Sequence, residues 1–322
     1  MRGCSCVERV LVCVTDSSQQ ISDDDSEGKQ MAHPVATNAD LADALAALDA
    51  RDDAASSRHL ERAARQGSIM GRAIRDVLDD GNSRNAYDKP RAFELFVRGG
   101  GNLALYEAVS AELAKLYDAL RPSTLLDIGA GDGMALVPAI EASGHVPDQI
   151  DVVEPNDVLL GKLIASLPLV RGYRMTMENF AEGFDDEDHW DLAQSTFALQ
   201  SIETKTREQA LAALAGHVDR LVIVEFDVPD LTPNSDAYYQ SLAHRYERAA
   251  SEYSEDAALV AGGFLAPMLL GQLRSIAPSN HEQPADAWVA ELERAGYRVL
   301  SRANLHDYSW STAFSLTAAP KG

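Results

Sequence analysis

Apolar residues along the chain fall into two rhythms. From Ala39 to about Asp80 they keep helical spacing: Leu41, Leu45 and Leu48 form one stripe, with Asn38 expected as its N-cap. A second helical run is predicted from about Ala54 through Val77, carrying Leu60, Ile69, Ile74 and Val77, and ending before Gly81. A helix follows from Pro90 to Val97, breaks at Gly99, Gly100 and Gly101, and gives way to a longer one from Asn102 to Tyr117. After Pro122 short β-like runs alternate with helical ones. TLLDI, QIDVVE, VRGYRM, DLAQSTF and RLVIVEFDV read as strands; MALVPAIEA, DVLLGKLIASL and TREQALAALAGHV read as the helices between them. Such alternation predicts an α/β, Rossmann-like fold, a mostly parallel sheet covered by helices on both faces. A helical excursion from about Pro229 to Ser279 precedes the helix PADAWVAELERAG and two closing strands, YRVLSRANL and WSTAFSLTA.

Charge narrows the partners. Fifty acidic against 28 basic residues give a formal net charge of -22, which repels a phosphate backbone and disfavours anionic membranes. No nucleic-acid or membrane partner is therefore expected, and no stretch reads as long enough to span a bilayer. The three cysteines, Cys4, Cys6 and Cys13, lie in the first thirteen residues and include one C-x-C pair with no second pair to complete a zinc site. No metal site is expected, and a cysteine-free core fits a cytoplasmic protein. The opening apolar run is short, interrupted by Glu8 and followed by acidic residues, so it fails as a signal peptide, and Met31 is an alternative start. The organisation expected is a disordered tail over residues 1–37, a helical segment over 38–120 that covers a pocket or supports a homodimer, and the sheet-bearing domain over 121–322, with a helical insertion at about 229–280.

Chemistry concentrates in Leu125-Leu126-Asp127-Ile128-Gly129-Ala130-Gly131-Asp132-Gly133. Alternate glycines between a strand and a helix let the backbone turn sharply and let a ligand approach it. A dinucleotide fingerprint, G-x-G-x-x-G, needs its third glycine at position 134, where this chain has Met134. That displacement argues against a pyrophosphate ligand. The next strand ends in Glu154-Pro155, where the second strand of a doubly wound sheet meets the switch-point crevice, and a carboxylate there can take both hydroxyls of a ribose.

Taken in order, LLDIGAGDG, VVEPN and WDLAQSTFALQSI resemble three successive motifs of the class I S-adenosylmethionine-dependent methyltransferases, and the closing strands resemble the antiparallel finish of that family's seven-stranded sheet. The resemblance runs from about Ser123 to the C-terminus. It implies that Gly129, Ala130, Gly131 and Gly133 hold the methionine moiety of S-adenosylmethionine, ordered by Asp127. It implies that Glu154 and Pro155 meet the ribose, that Met177 and Glu178, in a turn after the third strand, meet the adenine, and that Ser195, Thr196 and Phe197 lie beside the sulfonium. Ser195-Thr196-Phe197-Ala198 stands where methyltransferases acting on amide or adenine nitrogens carry a D/N-P-P-Y/F box, and it lacks the acid that aminopropyltransferases need there. The nearest resemblance is to the small-molecule methyltransferases of specialised metabolism.

Methyl transfer is an in-line displacement that needs alignment first and a base only where the acceptor must lose a proton. The acceptor is expected to be a small molecule methylated on O, N or C. Candidates for a base are His244 on the polar face of the excursion's first helix, His281 before Pro284, and Asp227. Glu225 and Asp227, near the end of the fifth strand, are both expected to face the carboxyl edge of the sheet, one of them positioning a donor hydroxyl or amine. Tyr239, Tyr246 and Tyr253 recur every seven residues; Tyr239 and Tyr246 read either as core or as a substrate wall. Phe96 to Asn102, FVRGGGN, is read as a lid over the cofactor or as a plain hinge, with Tyr106 on the following helix facing the pocket. Two other functions stay open: a non-catalytic protein that binds S-adenosylmethionine for regulation or scaffolding, and a nucleotide-dependent oxidoreductase.

Overall fold

The computed structural model describes residues 37–80, 89–274 and 280–322. Residues 1–36 of the expected tail, with the cysteines and Met31, and Gly81 lie outside the described residues, while Thr37, expected in the tail, opens the first helix. Five parallel strands, β1 (Thr124–Ile128), β2 (Gln149–Val153), β3 (Val170–Tyr173), β4 (Leu192–Thr196) and β5 (Leu221–Phe226), are joined by β6 (Tyr297–Asp307) and β7 (Thr312–Pro320). Their order is β3-β2-β1-β4-β5-β7-β6, and β7 runs antiparallel to both of its neighbours. Register aligns Ile128 with Val153 and with Ser195, and Thr196 with Val224, so the carboxyl ends of β1, β2, β4 and β5 form one edge. The chain moves outward one way from β1 through β2 to β3 and the other way through β4 to β5. Ligands of open α/β sheets bind where that direction reverses.

Each face of the sheet buries its own apolar layer. One layer gathers α5 (Gly101–Leu120), α6 (Leu136–Ala142) and α7 (Asp157–Ser166) through Leu105, Val109, Leu113, Tyr117, Leu136 and Leu163. The other gathers α8 (Met177–Ala181), α9 (Thr204–Leu214) and α13 (Ala285–Arg294) through Phe180, Leu211, Leu214, Trp288 and Leu292. β5, buried at every position, reads as the continuous apolar run of a central strand.

A third core belongs to neither face. It joins α1 (Thr37–Asp49), α2 (Asp53–Arg65), α3 (Ile69–Asp80) and α4 (Pro90–Val97) to α10 (Asp236–Ser251), α11 (Ala257–Val260), a π-helical turn (Ala261–Leu265) and α12 (Ala266–Arg274). Glu247 of α10 stitches the two sequence segments together. Its carboxylate accepts from Ser68 Oγ at 2.7 Å and from the Ile69 and Met70 amides at 2.7 and 3.1 Å, capping the start of α3. The expected 38–120 segment is thus shared between two bodies: α1–α4 build this cap, while α5 lies on the sheet.

Several local expectations change. The run from Ala54 to Val77 is two helices, because Gly67 adopts φ +98 and ends α2. Asn38 falls inside α1, which begins at Thr37, rather than capping it. The stretch from Ser254 to Leu273 is helical throughout, 20 residues with a mean hydropathy of 1.4 in its most apolar window, so an apolar helix of membrane-spanning length does occur among the described residues. Its Val260, Phe264, Leu265, Leu269 and Leu270 are buried in the cap core. Two of the three glycines have a packing reason across the cap: an added Cβ on Gly100 would lie 2.6 Å from the Tyr253 ring, and one on Gly101 would lie 2.5 Å from Glu252. Close approach of the cap to the start of α5, rather than slack in a lid, is what those glycines serve here.

Candidate functional site

The β1–α6 turn is held open by its own backbone. Gly129, Gly131 and Gly133 adopt φ +69, +58 and +84, a region that disfavours side chains. Their surroundings differ. A Cβ on Gly129 would meet Ala198 at 2.2 Å and one on Gly133 would meet Leu163 at 2.5 Å, whereas one on Gly131 would have no heavy atom within 4 Å. Gly129 and Gly133 therefore serve packing, and Gly131 is the position where a ligand can come against the backbone. Ala130 is half-buried beside it, its amide directed at the Val153 carbonyl at 3.3 Å.

Glu154 sits at the end of β2, buried, with Oε2 accepting from the Gly131 amide at 3.0 Å and Oε1 from the Asn156 amide at 2.8 Å. Each carboxylate oxygen keeps a further lone pair for a hydroxyl. Pro155 is exposed. Asp127 is 3 % exposed and its Oδ1 has no hydrogen-bond partner. Burial pushes its carboxyl up to about 7; the Gln194 amide opposes the shift and the Glu154 charge adds to it. A buried, unsatisfied carboxyl beside an open glycine is a place for a cationic or hydrogen-bond-donating group.

Past β3 the expected turn is a helix. Thr176 caps α8, Met177 is buried in its first turn, and Glu178 leaves a buried Oε2 without a partner. At the end of β4, Ser195 donates to the Ile128 carbonyl at 2.9 Å and Thr196 has a buried hydroxyl without a partner. Phe197 adopts φ +53, a strained conformation for an aromatic residue. Its ring stacks on Phe226 at 4.3 Å and meets Tyr106 edge-on at 6.0 Å, and Phe226 stacks in turn on Tyr308 at 5.5 Å. Tyr106 lies within electrostatic reach of Asp132 in the glycine turn, and its hydroxyl is pushed up to about 12 by burial and by that charge. Arg98, just beyond α4, pairs with Asp132 at 2.9 Å and ties the cap to the turn. Tyr106 and Phe197, separate in sequence, come together at the strand edge.

The expected bases are placed otherwise. Asp227 accepts from the Ala285 amide at 2.8 Å and pairs with Arg302 at 3.1 Å, so it anchors α13 and β6 rather than waiting for a proton. His244 is exposed on α10, which withdraws it from a buried reaction centre. His281 is held by its backbone: its amide donates to the Gln200 carbonyl at 2.7 Å, its carbonyl accepts from Arg207 at 3.2 Å, and its ring lies near Glu203. Tyr239 and Tyr246 are cap core rather than substrate wall. The Tyr239 hydroxyl donates to Asp49 at 2.5 Å and the Tyr246 hydroxyl to Gln272 at 3.1 Å. Two groups of metal-binding residue types, Asp40–Asp43–His59 and His189–Asp191–Asp219, lie together, but Asp40 is committed to Arg62 and Gln66, and Asp191 to the Ser123 and Thr124 amides.

Beside β5 lies chemistry that no motif announced. Glu225 is 1 % exposed; its Oε1 accepts from the Gln200 amide at 3.2 Å and its Oε2 has no partner. Burial pushes its carboxyl up to about 8, against the backbone hydrogen bond from Gln200 and the Arg207 charge. Arg207 is itself fully buried, doubly bonded to Glu291 at 2.6 and 2.7 Å and stacked over Trp288 at 4.1 Å. It fixes the 281–283 strip against the ends of β4 and β5. Glu225 was legible, with Asp227, as an acid at the ligand edge of the fifth strand; Arg207 and Glu291, each an ordinary surface-type residue on an ordinary helix, carry no local signal.

No protein-family model matches the chain, and no curated protein matches it in sequence. Among solved structures it is similar to the mitomycin 7-O-methyltransferase MmcR at 15% identity, with a TM-score of 0.47 over 83% of this chain and 72% of that one. It is similar to the magnesium protoporphyrin IX methyltransferase ChlM from Synechocystis PCC 6803 with bound SAH at 11% identity, with a TM-score of 0.46 over 72% of this chain and 94% of that one. The pyocyanin biosynthetic protein PhzM is similar at 13% identity, with a TM-score of 0.44 over 71% of this chain and 61% of that one. Such likenesses speak only to the course of the chain. The strand order with β7 reversed, and the glycine turn after β1, are themselves those of the Rossmann-like class I methyltransferase fold, and this chain has that fold.

Proposed function

We propose that this protein transfers a methyl group from S-adenosylmethionine to a small-molecule acceptor. The observation that carries the reading is the conjunction at one strand edge of an open Gly131, a buried Glu154 already bonded to that glycine, and an unsatisfied Asp127. These residues fit the cofactor in kind. Glu154 has lone pairs for the ribose hydroxyls, Asp127 and the Gly129–Gly133 turn suit the methionine ammonium and carboxylate, and Met177 and Glu178 offer an apolar and an accepting contact to adenine. The cofactor supplies an electrophilic methyl group on a sulfonium. The chain's own part is to align and to exclude water. Ser195 and Thr196 end β4 at the switch point, and the Phe197–Phe226–Tyr308 stack closes one side against solvent.

Calorimetric titration with S-adenosylmethionine, S-adenosylhomocysteine and NAD tests the reading. Micromolar binding of the first two is expected, with NAD inert. Glu154→Ala should weaken binding by about 10–100-fold, the loss of about 1.4–2.7 kcal/mol of hydrogen bonding to a charged group. Failure of both sulfur compounds to bind would sink the assignment; binding of NAD in their place would move it to the oxidoreductases.

A further inference from the structure

Against Trp310, between β6 and β7, the cap contributes one buried cation. Arg245 of α10 is 8 % exposed, and its Nε and Nη1 have no hydrogen-bond partner. It makes no ion pair among the described residues. Its guanidinium lies 4.4 Å over the ring of Trp310, which packs against both the cap core and the sheet core. The Trp310 indole donates to Glu282 at 2.7 Å, so cation and carboxylate bracket the same ring without touching each other. Glu282 is within electrostatic reach of Arg245 on one side and of Glu225 on the other. Gln200, whose backbone amide donates to Glu225 Oε1 at 3.2 Å, also leaves its own side-chain Oε1 buried without a donor. The region therefore holds unmatched donors at one end and unmatched acceptors at the other, with the Phe197–Phe226–Tyr308 rings nearby in the sheet layer that also packs Trp310.

Buried polar groups without partners are costly in a protein that binds nothing. A ligand carboxylate would supply both the counter-charge and the acceptors that Nε and Nη1 of Arg245 lack. Building on the methyltransferase reading above, we propose that the acceptor is a hydroxylated aromatic acid whose carboxylate is received by Nε and Nη1 of Arg245 and whose hydroxyl faces Glu225 and Gln200. In its carboxylate form, Glu225 takes the hydroxyl proton on Oε2. The hydroxyl oxygen forms its bond to the methyl carbon as the bond from that carbon to the sulfonium sulfur breaks, leaving an aryl methyl ether, a neutral thioether and a protonated Glu225. Glu282 keeps Trp310, and through it Arg245, in place.

The probes are 4-hydroxybenzoate, 4-hydroxyphenylacetate and 4-hydroxycinnamate, each titrated beside its carboxamide into the full chain saturated with S-adenosylhomocysteine. At least one acid should bind ten-fold or more tightly than its amide. Arg245→Met should erase that preference, Arg245→Lys should restore part of it, and S-adenosylhomocysteine affinity should stay unchanged in both. Glu225→Gln should bind the acid as well as the parent does while turning it over about 100-fold more slowly or worse. The apo Arg245→Met protein should melt no lower than the parent, because an unpaired buried cation has been removed. A drop of more than about 5 °C, on the size scaling of melting shifts, would mark Arg245 as structural and overturn the proposal. Absence of any acid-over-amide preference, or its survival in Arg245→Met, overturns it too. If S-adenosylhomocysteine binds and the acids do not, the acceptor proposal falls alone. If the acids bind through Arg245 and S-adenosylhomocysteine does not, the cofactor reading falls and the anion site stands.

Discussion

The cap core and each apolar layer of the sheet are assembled from differently arranged stretches of chain. In the parallel part of the sheet, β1 pairs with β2 and β4 with β5, each a single crossover away, so most pairings join near neighbours in sequence; the β1–β4 pairing at the switch point is the long-range one. In the cap, α1–α4 meet α10–α12 only after the whole parallel sheet has been traversed; Ser68 and Glu247, which hydrogen-bond to each other, stand 179 positions apart. The sheet half is the half whose ligand-facing residues sit in contiguous motifs. The cap half presents Arg245 by a helix whose own partner, α1, lies at the other end of the chain. Local pattern can specify the first arrangement; only the assembled tertiary structure specifies the second.

The sharpest way to break this division is to cut the tie between the sheet's far layer and the strip that borders the site. Arg207 and Glu291 are both fully buried, and Arg207 also donates to the Leu199, Ile202 and His281 carbonyls. Arg207→Met leaves a carboxylate buried without its counter-charge and should cost about 3–5 kcal/mol in denaturant unfolding, while the double variant with Glu291→Met should recover much of it. The sheet should unfold as one unit with this loss. A loss below about 1 kcal/mol would mean that water reaches Glu291 and that the 281–283 strip is held otherwise.

What the sequence made legible follows the same line. The strand–helix alternation and the glycine turn were legible because each depends on residues within a few positions of one another: alternate glycines, an acid closing β2, an apolar run in β5. The reversed last strand was implied by the family resemblance, and the strand order comes from the structure. The break at Gly67 was missed because the apolar stripe continues in helical spacing across it and hides a residue with φ +98. Asp227 was read as a base from its place at a strand end, yet its carboxylate belongs to the α13 amide at Ala285. Tyr239 and Tyr246 shared a stripe with helical period, and that period says which face is buried without saying what buries it. Arg245, one position before Tyr246, was passed over because a lone arginine inside a helix looks like any solvated cation until the fold places Trp310 against it.

Glu247→Ala tests the cap by itself. Three donors, Ser68 Oγ and the amides of Ile69 and Met70, lose a charged acceptor at the start of α3, for an expected cost of about 2 kcal/mol. Hydrogen exchange should speed up in α1–α4 and in α10 while the amides of β1, β4 and β5 keep their protection. Uniform acceleration across both regions would show that cap and sheet unfold together, and the division drawn above would be wrong.

The smallest effect asks whether the acids of the sheet edge are strained in the apo protein. Glu225 faces Arg207 from α9 and Glu282 from the strip before α13, and burial outweighs the attraction, raising its carboxyl to about 8 from an ordinary value of 4.5. A carboxyl raised on folding binds more protons in the native state than in the unfolded one between those two values. Stability is therefore greatest below about 4.5 in this contribution, declines as pH rises, and is fully lost above about 8. The slope cannot exceed about 1.4 kcal/mol per pH unit for one group, so the step from pH 6 to pH 7 should cost the apo chain about 1 kcal/mol. Asp127, raised to about 7, adds in the same direction. Glu225→Gln should lower the slope of the profile measured by urea unfolding at successive pH values, leaving the part that Asp127 contributes, and Glu247→Ala should shift it down without changing its slope. A parent profile that is already flat from pH 5 to 8 would mean that Glu225 ionises freely where it sits, and the sheet edge would then be no more strained than the cap.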